Sequence, residues 1–261
     1  MKRVLRLVAA LAAVAFAGLI YLYVTLPDVR PLAKTNPTTT AFMELRAQEA
    51  ARQGKTLRHL QHWVPYAQIS GNLKRAVLVA EDDAFWQHEG VDIEQLKLSI
   101  QSDLEQGKGV RGGSTITQQL AKGVFLSSDR TFGRKAREAL IAVWLEVWLT
   151  KDQIMERYLS NVYFGDNVYG LRAAARHYFN RAPDRLTIPQ AAMLAGLLKA
   201  PSRLAPTTNL KGARARAALV TQAMVDAGYI TQAERNALPP ARLNVHEEAR
   251  SEEHTSELQS H

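Results

Sequence analysis

A carboxylate at the end of a predicted helix is the first candidate for chemistry in this chain. Apolar residues recur at i, i+3, i+4 and i+7 over 73–80, which predicts a helix capped by Asn72 and ending at Glu81. The carbonyl end of a helix disfavours a carboxylate, and Asp82 and Asp83 repel a further negative charge. With burial against nearby aromatic side chains, these effects predict a raised pKa for Glu81, as a general acid or base needs. Taken alone, a solvated acidic helix end is the commoner explanation.

A glycine-rich, basic stretch at 106–113 is the second candidate. It leads directly into a predicted helix that begins near Ser114 and Thr115. Free N–H groups and the helix dipole make such a junction suitable for binding an anion. Without other support the signal is weak, because Ser114 or Thr115 could equally be an ordinary helix cap.

Three charged residues in the first turns of a later helix form the third candidate. Glu138 follows Arg134 by four positions and Lys135 by three, so all three can share one helix face. An ordinary intrahelical ion pair explains this spacing equally well.

The elements that must position these residues are all predicted to be helical. The segment 134–149 is apolar on nearly all its faces and is expected to be a central buried helix. Capping boxes at Thr150 and Thr187 open two further helices, and 210–227 forms the last long one. No convincing alternation of period two occurs, so the fold class is all-α. With 261 residues, 46% of them hydrophobic, one domain plus appendages is expected.

The N-terminus predicts a membrane anchor. Residues 7–26 carry no charge and are long enough to cross a bilayer as a helix. Lys2, Arg3 and Arg6 precede this stretch, and Asp28 is the first charge after it. Residues 1–6 should therefore stay in the cytoplasm while the remainder is exported. A cleaved signal peptide is the alternative, but the apolar run continues well past the candidate cleavage site.

The remaining boundaries follow from composition. Residues 27–62 are predicted as a periplasmic linker and helix, extended over 27–40 and helical over 41–52. Residues 63–245 form the main domain. The polar tail 246–261 resembles translated sequencing-adapter sequence and is expected to be disordered and artefactual.

The charge balance narrows the class of partner. Lys and Arg outnumber Asp and Glu by 33 to 25, for a net charge of +8. This excess suits nucleic acid, an anionic membrane surface or phosphorylated substrates, and the exported topology argues against nucleic acid. The absence of cysteine excludes disulfides and thiolate metal sites.

Taken together, these segments resemble the glycosyltransferase family 51 domain, the peptidoglycan polymerase module, over roughly residues 63–209. The five motif regions of that family occur in order. The matching residues are Glu81, Asp82, Phe85, His88 and Gly90; then 112–122; then Arg134, Lys135 and Glu138; then Tyr158, Leu159, Phe164, Gly165, Gly170, Ala173, Ala174, Tyr178 and Phe179; and finally Ala192, 194–197, Ala200, Pro201 and Pro206. Residues 36–43 and 63–65 resemble the stand-alone, monofunctional enzymes of this family in Gram-negative bacteria.

The resemblance implies a lysozyme-like α-helical domain that polymerises lipid II into glycan strands. The reaction would invert the anomeric carbon and release undecaprenyl pyrophosphate, with Glu81 as the catalytic base and Glu138 as the second carboxylate. The implied substrate-binding residues are Ser114, Thr115, Gln118, Gln119, Lys122, Arg130, Arg134 and Lys135. The implied structural residues beside the site are Asp82, Phe85, His88 and Gly90. Arg214 and Arg216, basic residues of the last long helix, are expected to be near neutral for binding of the pyrophosphate-bearing substrate.

The resemblance also implies the setting of the enzyme. It places a single-pass protein in the bacterial inner membrane, with the catalytic domain in the periplasm. Its partners would be lipid II, the growing glycan strand, the membrane and proteins of cell-wall synthesis or division. No cofactor is required. A Mg²⁺ or Mn²⁺ ion bridging Glu138 or the pyrophosphate is compatible with the chemistry, but no cluster of His, Asp or Glu demands one, so the metal ligands are unknown.

Two departures from the family pattern keep other functions open. Gly123 and Ser160 stand where the family usually has asparagine, beside the predicted cleft. A catalytically impaired periplasmic scaffold is therefore one alternative. A lysozyme-like enzyme that cleaves peptidoglycan is the other, although it would not need the cations between Lys122 and Lys135.

Overall fold

Helices make up the regular structure of this chain, as a computed structural model shows. The described residues are 2–37, 39–52, 54, 63–106, 113–126 and 131–245. Within them, the only β-type pairing is an isolated bridge between Tyr163 and Tyr169. The all-α prediction is therefore confirmed for this part of the chain. The basic loop at 107–112, Arg130 and the tail 246–261 lie outside the described residues.

The α-helices of the described part are α1 (Lys2–Thr25), α2 (Ala41–Arg52), α3 (Gly71–Glu81), α4 (Ile93–Gln106), α5 (Ile116–Phe125), α6 (Phe132–Trp148), α7 (Lys151–Leu159), α8 (Leu171–Phe179), α9 (Ile188–Leu197), α10 (Pro201–Leu204), α11 (Leu210–Asp226) and α12 (Gln232–Ala237).

The helix starts follow local capping chemistry. Capping boxes open α7 at Thr150 and α9 at Thr187, as the sequence predicts. The predicted cap of α3 was wrong by two residues. Ser70 is the cap, since its Oγ accepts a hydrogen bond from Leu73 N at 3.1 Å. Asn72 instead donates through Nδ2 to the carbonyl of Leu186 at 3.1 Å, which ties α3 to the segment before α9.

The central helix is α9 and not α6. Every residue from Gln190 to Leu197 is buried, and α3 and α11 both pack against this helix. Its small side chains permit close approach, because a Cβ at Gly196 would come within 3.0 Å of Arg216 Cγ. The expectation that 134–149 forms a central buried helix was wrong. One apolar face of α6 remains open, with Val147 64% exposed, because only the opposite face packs into the core.

The first part of the segment 27–40 is not an extended linker. Its residues Arg30–Ala33 form a 3₁₀ turn, and Val29 and Leu32 are buried in the main core. Arg157 on α7 donates from Nε to the carbonyl of Leu32 at 2.6 Å. The predicted linker is therefore folded onto the domain by long-range contacts that its composition does not reveal.

The N-terminal helix α1 covers the predicted anchor. Among the residues that the structure describes, no helix is both long and apolar enough to cross a membrane. The transmembrane anchor at 7–26 therefore stays a prediction.

Gly90 fixes how the loop after α3 approaches α6. Its φ is +89°, in the region that side chains avoid. A Cβ at this position would lie 2.8 Å from the carbonyl carbon and oxygen of Ala142, which belong to the backbone of a packed helix. Only glycine permits this approach.

We therefore expect Gly90→Ala to lower the free energy of unfolding by roughly 2–4 kcal/mol, from backbone strain and overpacking together. Thermal or denaturant unfolding measures this loss. Gly133→Ala is the control, because a Cβ there meets nothing within 4 Å and should leave stability nearly unchanged. Equal behaviour of the two variants would contradict the packing argument.

Candidate active site

The two oxygens of Glu81 have different environments. Glu81 ends α3, and its Oε2 accepts a hydrogen bond from Gln119 Nε2 at 2.8 Å. Its Oε1 is buried and has no hydrogen-bond partner among the described residues. Burial raises the pKa of Glu81, while the Gln119 hydrogen bond and the charges of Lys199 and Arg216 partly oppose this rise. The carboxylate therefore retains one oxygen to accept a proton, and its predicted pKa rise is confirmed.

Of the two predicted causes of that rise, burial outweighs charge repulsion. Desolvation is the largest contribution, and the charge of Asp82 is the smallest. Asp83 is exposed and contributes nothing to it. The charge of Arg216 on α11, a residue for which the sequence predicts no role at Glu81, favours the ionised form of that carboxylate. Sequence alone could not place it there, since α3 and α11 meet only through tertiary packing.

Tyr158 sets the orientation of the Gln119 amide. The Tyr158 hydroxyl donates to Gln119 Oε1 at 3.0 Å, so the NH₂ end of the amide faces Glu81. Burial raises the pKa of Tyr158 well above its usual range, which keeps the phenol protonated and able to donate. The sequence marked Tyr158 only as a motif residue, because its partner lies 39 positions away.

Asp82 and His88 connect the loop after α3 to the start of α5. Asp82 Oδ2 accepts from Ile116 N at 2.8 Å, and Asp82 Oδ1 lies 2.9 Å from His88 Nε2. His88 Nδ1 accepts from Gly90 N at 3.2 Å, so the ring proton must be on Nε2, directed at Asp82. This arrangement supports the interpretation of His88 as a scaffold residue.

A partly buried lysine holds the same loop from the other side. Lys151 Nζ donates to the His88 carbonyl at 2.6 Å and to Glu146 Oε1 at 2.8 Å. It also lies 4.6 Å from the ring centroid of the fully buried Phe85. Thr117 Oγ1 completes the set with a 2.6 Å hydrogen bond to Glu146. These contacts join α5, α6 and α7 to the loop, and no local sequence pattern indicates them.

The residues at the start of α5 serve mainly to position it. Thr115 and Gln118 form a reciprocal capping box, and Thr115 Oγ1 also donates to the Gly90 carbonyl at 2.6 Å. Gln118 is buried and its amide oxygen is used by the cap. We therefore expect Thr115 and Gln118 to orient α5, whereas Gln119 faces the carboxylate of Glu81.

Glu138 is a buried carboxylate with two cationic partners. Arg134 Nη1 lies 2.6 Å from Glu138 Oε2, and Lys135 Nζ pairs with Oε1. Lys135 Nζ also donates to Ser114 Oγ at 2.7 Å, which links α6 to the start of α5. The predicted sharing of one face is confirmed. The cluster carries a net charge of +1 from these three side chains, so it can attract an anion.

The remaining predicted cations are only partly placed. Lys122 is exposed on α5, one turn beyond Gln119, and Arg130 lies outside the described residues. Among the described residues, no group of three or more metal-ligating side chains lies together.

The two departures from the family pattern do not disturb the packing. A Cβ at Gly123 would meet nothing within 4 Å, so this position is open towards its surroundings. Ser160 is buried, and its Oγ accepts from Val64 N at 3.1 Å. Ser160 therefore holds the chain segment that precedes α3.

Comparison with known proteins gives one sequence family. The family profile described as Transglycosylase matches residues 48–225, more than half of the chain. A biosynthetic peptidoglycan transglycosylase of Aromatoleum aromaticum is 48% identical over 170 residues, which are 64% of this chain and 73% of that protein. A protein of the same description from Alcanivorax borkumensis is 45% identical over 202 residues, 77% of this chain and 78% of that protein.

A solved structure also matches part of the chain. It is penicillin-binding protein 1A from Haemophilus influenzae, 26% identical, with a TM-score of 0.33. The match covers 52% of this chain and 19% of that chain.

The raised pKa of Glu81 makes a prediction about stability. Because the folded chain binds this proton more tightly than the unfolded chain, ionising Glu81 destabilises the fold as the pH rises above the ordinary value of 4.5. Glu81→Gln should therefore raise the midpoint of thermal unfolding at about pH 7–8, and this gain should vanish below about pH 4.

Glu234→Gln is a control for which we expect the opposite change in stability at neutral pH. Hydrogen bonds from Thr231 lower the pKa of Glu234, so its charge stabilises the fold at neutral pH and this contribution is lost on acidification. A Glu81→Gln variant that is less stable than the parent at neutral pH would contradict the assignment.

Proposed function

This chain belongs to the transglycosylase family, and on that premise we propose that it is a peptidoglycan glycosyltransferase that polymerises lipid II in cell-wall synthesis. The observation that carries the proposal is the environment of Glu81. Its carboxylate is desolvated, one oxygen is held by Gln119, and the other faces no partner among the described residues. Such a group can remove a proton from a hydroxyl that enters the site.

The proposed reaction is a single displacement. Glu81 Oε1 accepts the proton of the acceptor 4-hydroxyl while that oxygen attacks the anomeric carbon of the donor chain. The bond from the anomeric carbon to the pyrophosphate oxygen breaks, and the electron pair leaves with the undecaprenyl pyrophosphate. Attack from the opposite face converts the α-linked donor into a β-linked product, in keeping with one base and no covalent intermediate.

The leaving group requires cations more than a strong acid. Lys122, Arg130 and the cluster around Glu138 supply them, and Glu138 would hold Arg134 and Lys135 in place. The proposal needs no cofactor, since protein cations can neutralise the pyrophosphate; a Mg²⁺ or Mn²⁺ ion bound with it would add to this charge. A hydrolase acting on finished glycan would have no use for the cation set.

We place the enzyme in the bacterial inner membrane, with residues 7–26 as a single-pass anchor and the domain from residue 63 in the periplasm. The uncharged length of 7–26 and the basic residues before it support this topology. Its substrates, lipid II and the glycan strand, would then reach the site from the membrane surface. Proteins of cell-wall synthesis or division are further candidate partners.

The first test separates the two carboxylates. Glu81→Gln keeps the size of the side chain but cannot take the proton, so polymerisation of purified lipid II should fall by ~10²–10⁴-fold. This variant should still bind a pyrophosphate-containing inhibitor, because the cations remain. Glu138→Gln should instead weaken that binding and lower thermal stability. Normal polymerisation by Glu81→Gln together with an inactive Glu138→Gln variant would reverse these roles.

The second test concerns the cation on α5. Lys122→Ala should weaken binding of the pyrophosphate-bearing substrate by roughly 1.5–3 kcal/mol, the range of a charge-assisted hydrogen bond. Lys97→Ala is the matched control, since Lys97 is exposed on α4 and pairs with Glu94. The measurement is equilibrium binding of lipid II at fixed salt. Equal losses in both variants would mean that only the net charge matters.

A further inference from the structure

A pocket lies near the N-terminal end of α3, at the opposite end of that helix from Glu81. Its volume is ≈ 630 Å³, and its lining includes the apolar side chains of Phe179 and Leu243. Three arginines also line it and define what we call the arginine pocket: Arg181, Arg185 and Arg242. A pocket of this size lies within the range that binds small molecules.

The arginine pocket is separate from the candidate active site. Ser70 N, at the start of α3, donates to the carbonyl of Pro183 at 3.2 Å, which places the turn Pro183–Arg185 beside that end of the helix. Glu81 ends the same helix, which has 11 residues. At 1.5 Å per residue the two sites are therefore separated by about 15 Å along α3.

The charge of the arginine pocket is unbalanced. Asp184 is the one acidic residue among the described residues that line it, and Arg185 Nε lies 4.0 Å from Asp184 Oδ2. The side chains of Arg181 and Arg242 make no hydrogen bond or ion pair with any described residue. Like charges on one concave surface repel each other, so within the described part of the chain this arrangement does not serve stability.

The backbone holds these two arginines against the same pocket. Arg181 follows Asn180, whose φ of 48° ends α8 in the left-handed conformation. Arg242 lies on the segment after α12, which is fixed to the domain on both sides. Asn244 N donates to the carbonyl of Tyr178 at 2.9 Å, and Arg214 Nη2 donates to the carbonyl of Ala241 at 3.4 Å.

We propose that the arginine pocket binds carboxylate groups of the peptides carried by the glycan strand. A guanidinium presents paired N–H groups that match a carboxylate, and the apolar lining suits the small side chains of a short peptide. This inference rests on the proposed function, because an enzyme that polymerises the glycan meets such a peptide at every disaccharide. Phosphate shares the same oxyanion chemistry, and the test distinguishes the two.

The test measures equilibrium binding to the full chain in detergent. The probes are a soluble cell-wall pentapeptide with a free C-terminal carboxylate, the same peptide amidated at its C-terminus, and inorganic phosphate. Arg181→Gln and Arg242→Gln should each weaken binding of the free peptide about tenfold, and the double variant should abolish it. The amidated peptide and phosphate should bind more weakly than the free peptide to the parent chain.

Arg172→Gln is the matched control, since Arg172 is an exposed arginine on α8 that does not line the pocket. It should bind the peptide like the parent. Unchanged binding in the two pocket variants, no binding at all, or tighter binding of phosphate than of peptide would overturn the inference.

Binding needs no turnover, so the two proposals fail separately. A chain that polymerises lipid II but ignores the peptide refutes only the arginine pocket. A chain that binds the peptide through Arg181 and Arg242 but forms no polymer refutes only the proposed function.

Discussion

The buried carboxylate of Asp82 joins the segments on which the candidate site depends. It directly follows Glu81, receives the first N–H of α5 through Ile116, and receives the ring N–H of His88. A carboxylate taken out of water is tolerated only when its oxygens are hydrogen-bonded, and the N-terminus of a helix is a favourable place for negative charge. The end of α3, the loop to Gly90 and the start of α5 are therefore mutually dependent.

The carboxylates of Glu81 and Glu138 lie in contrasting environments within this framework. Glu81 is desolvated and incompletely hydrogen-bonded, which makes it a poor structural residue and a suitable base. Glu138 is buried between two cations, which makes it an organiser of positive charge. Placing titratable groups in contrasting environments is a general means of assigning them different roles. The two groups are linked only through other residues, since Gln119 donates to Glu81 and to the Ser114 carbonyl, while Ser114 Oγ accepts from Lys135, the partner of Glu138.

Local patterns predicted the features that depend on residues three or four positions apart. The capping boxes that open α7 and α9 and the shared face of Arg134, Lys135 and Glu138 are of this kind. Burial was harder to predict. An apolar composition suggested that 134–149 would be central, but the closer packing of small residues in α9 gave that position to α9.

The partners within the site required contacts across the chain. Tyr158 orients an amide on α5, Lys151 binds the loop carbonyl of His88, and Leu32 docks on α7. Each contact joins residues that are tens of positions apart, and no periodicity or spacing encodes it. The family resemblance predicted the site residues as a set. The burial that raises the pKa of Glu81 arises only when distant segments of the chain pack together.

The hydrogen-bond chain from Tyr158 through Gln119 to Glu81 has a fixed polarity. Each member donates towards the carboxylate, and the amide NH₂ that faces Glu81 is a donor only, with no lone pair available to receive a proton from it. A proton taken up by Glu81 cannot be relayed into the protein interior through this chain. In the proposed reaction the proton must therefore leave from Oε1 by the side on which it arrived, and that oxygen must be exposed before the next acceptor is deprotonated. Regeneration of the base is thereby coupled to movement of the product out of the cleft.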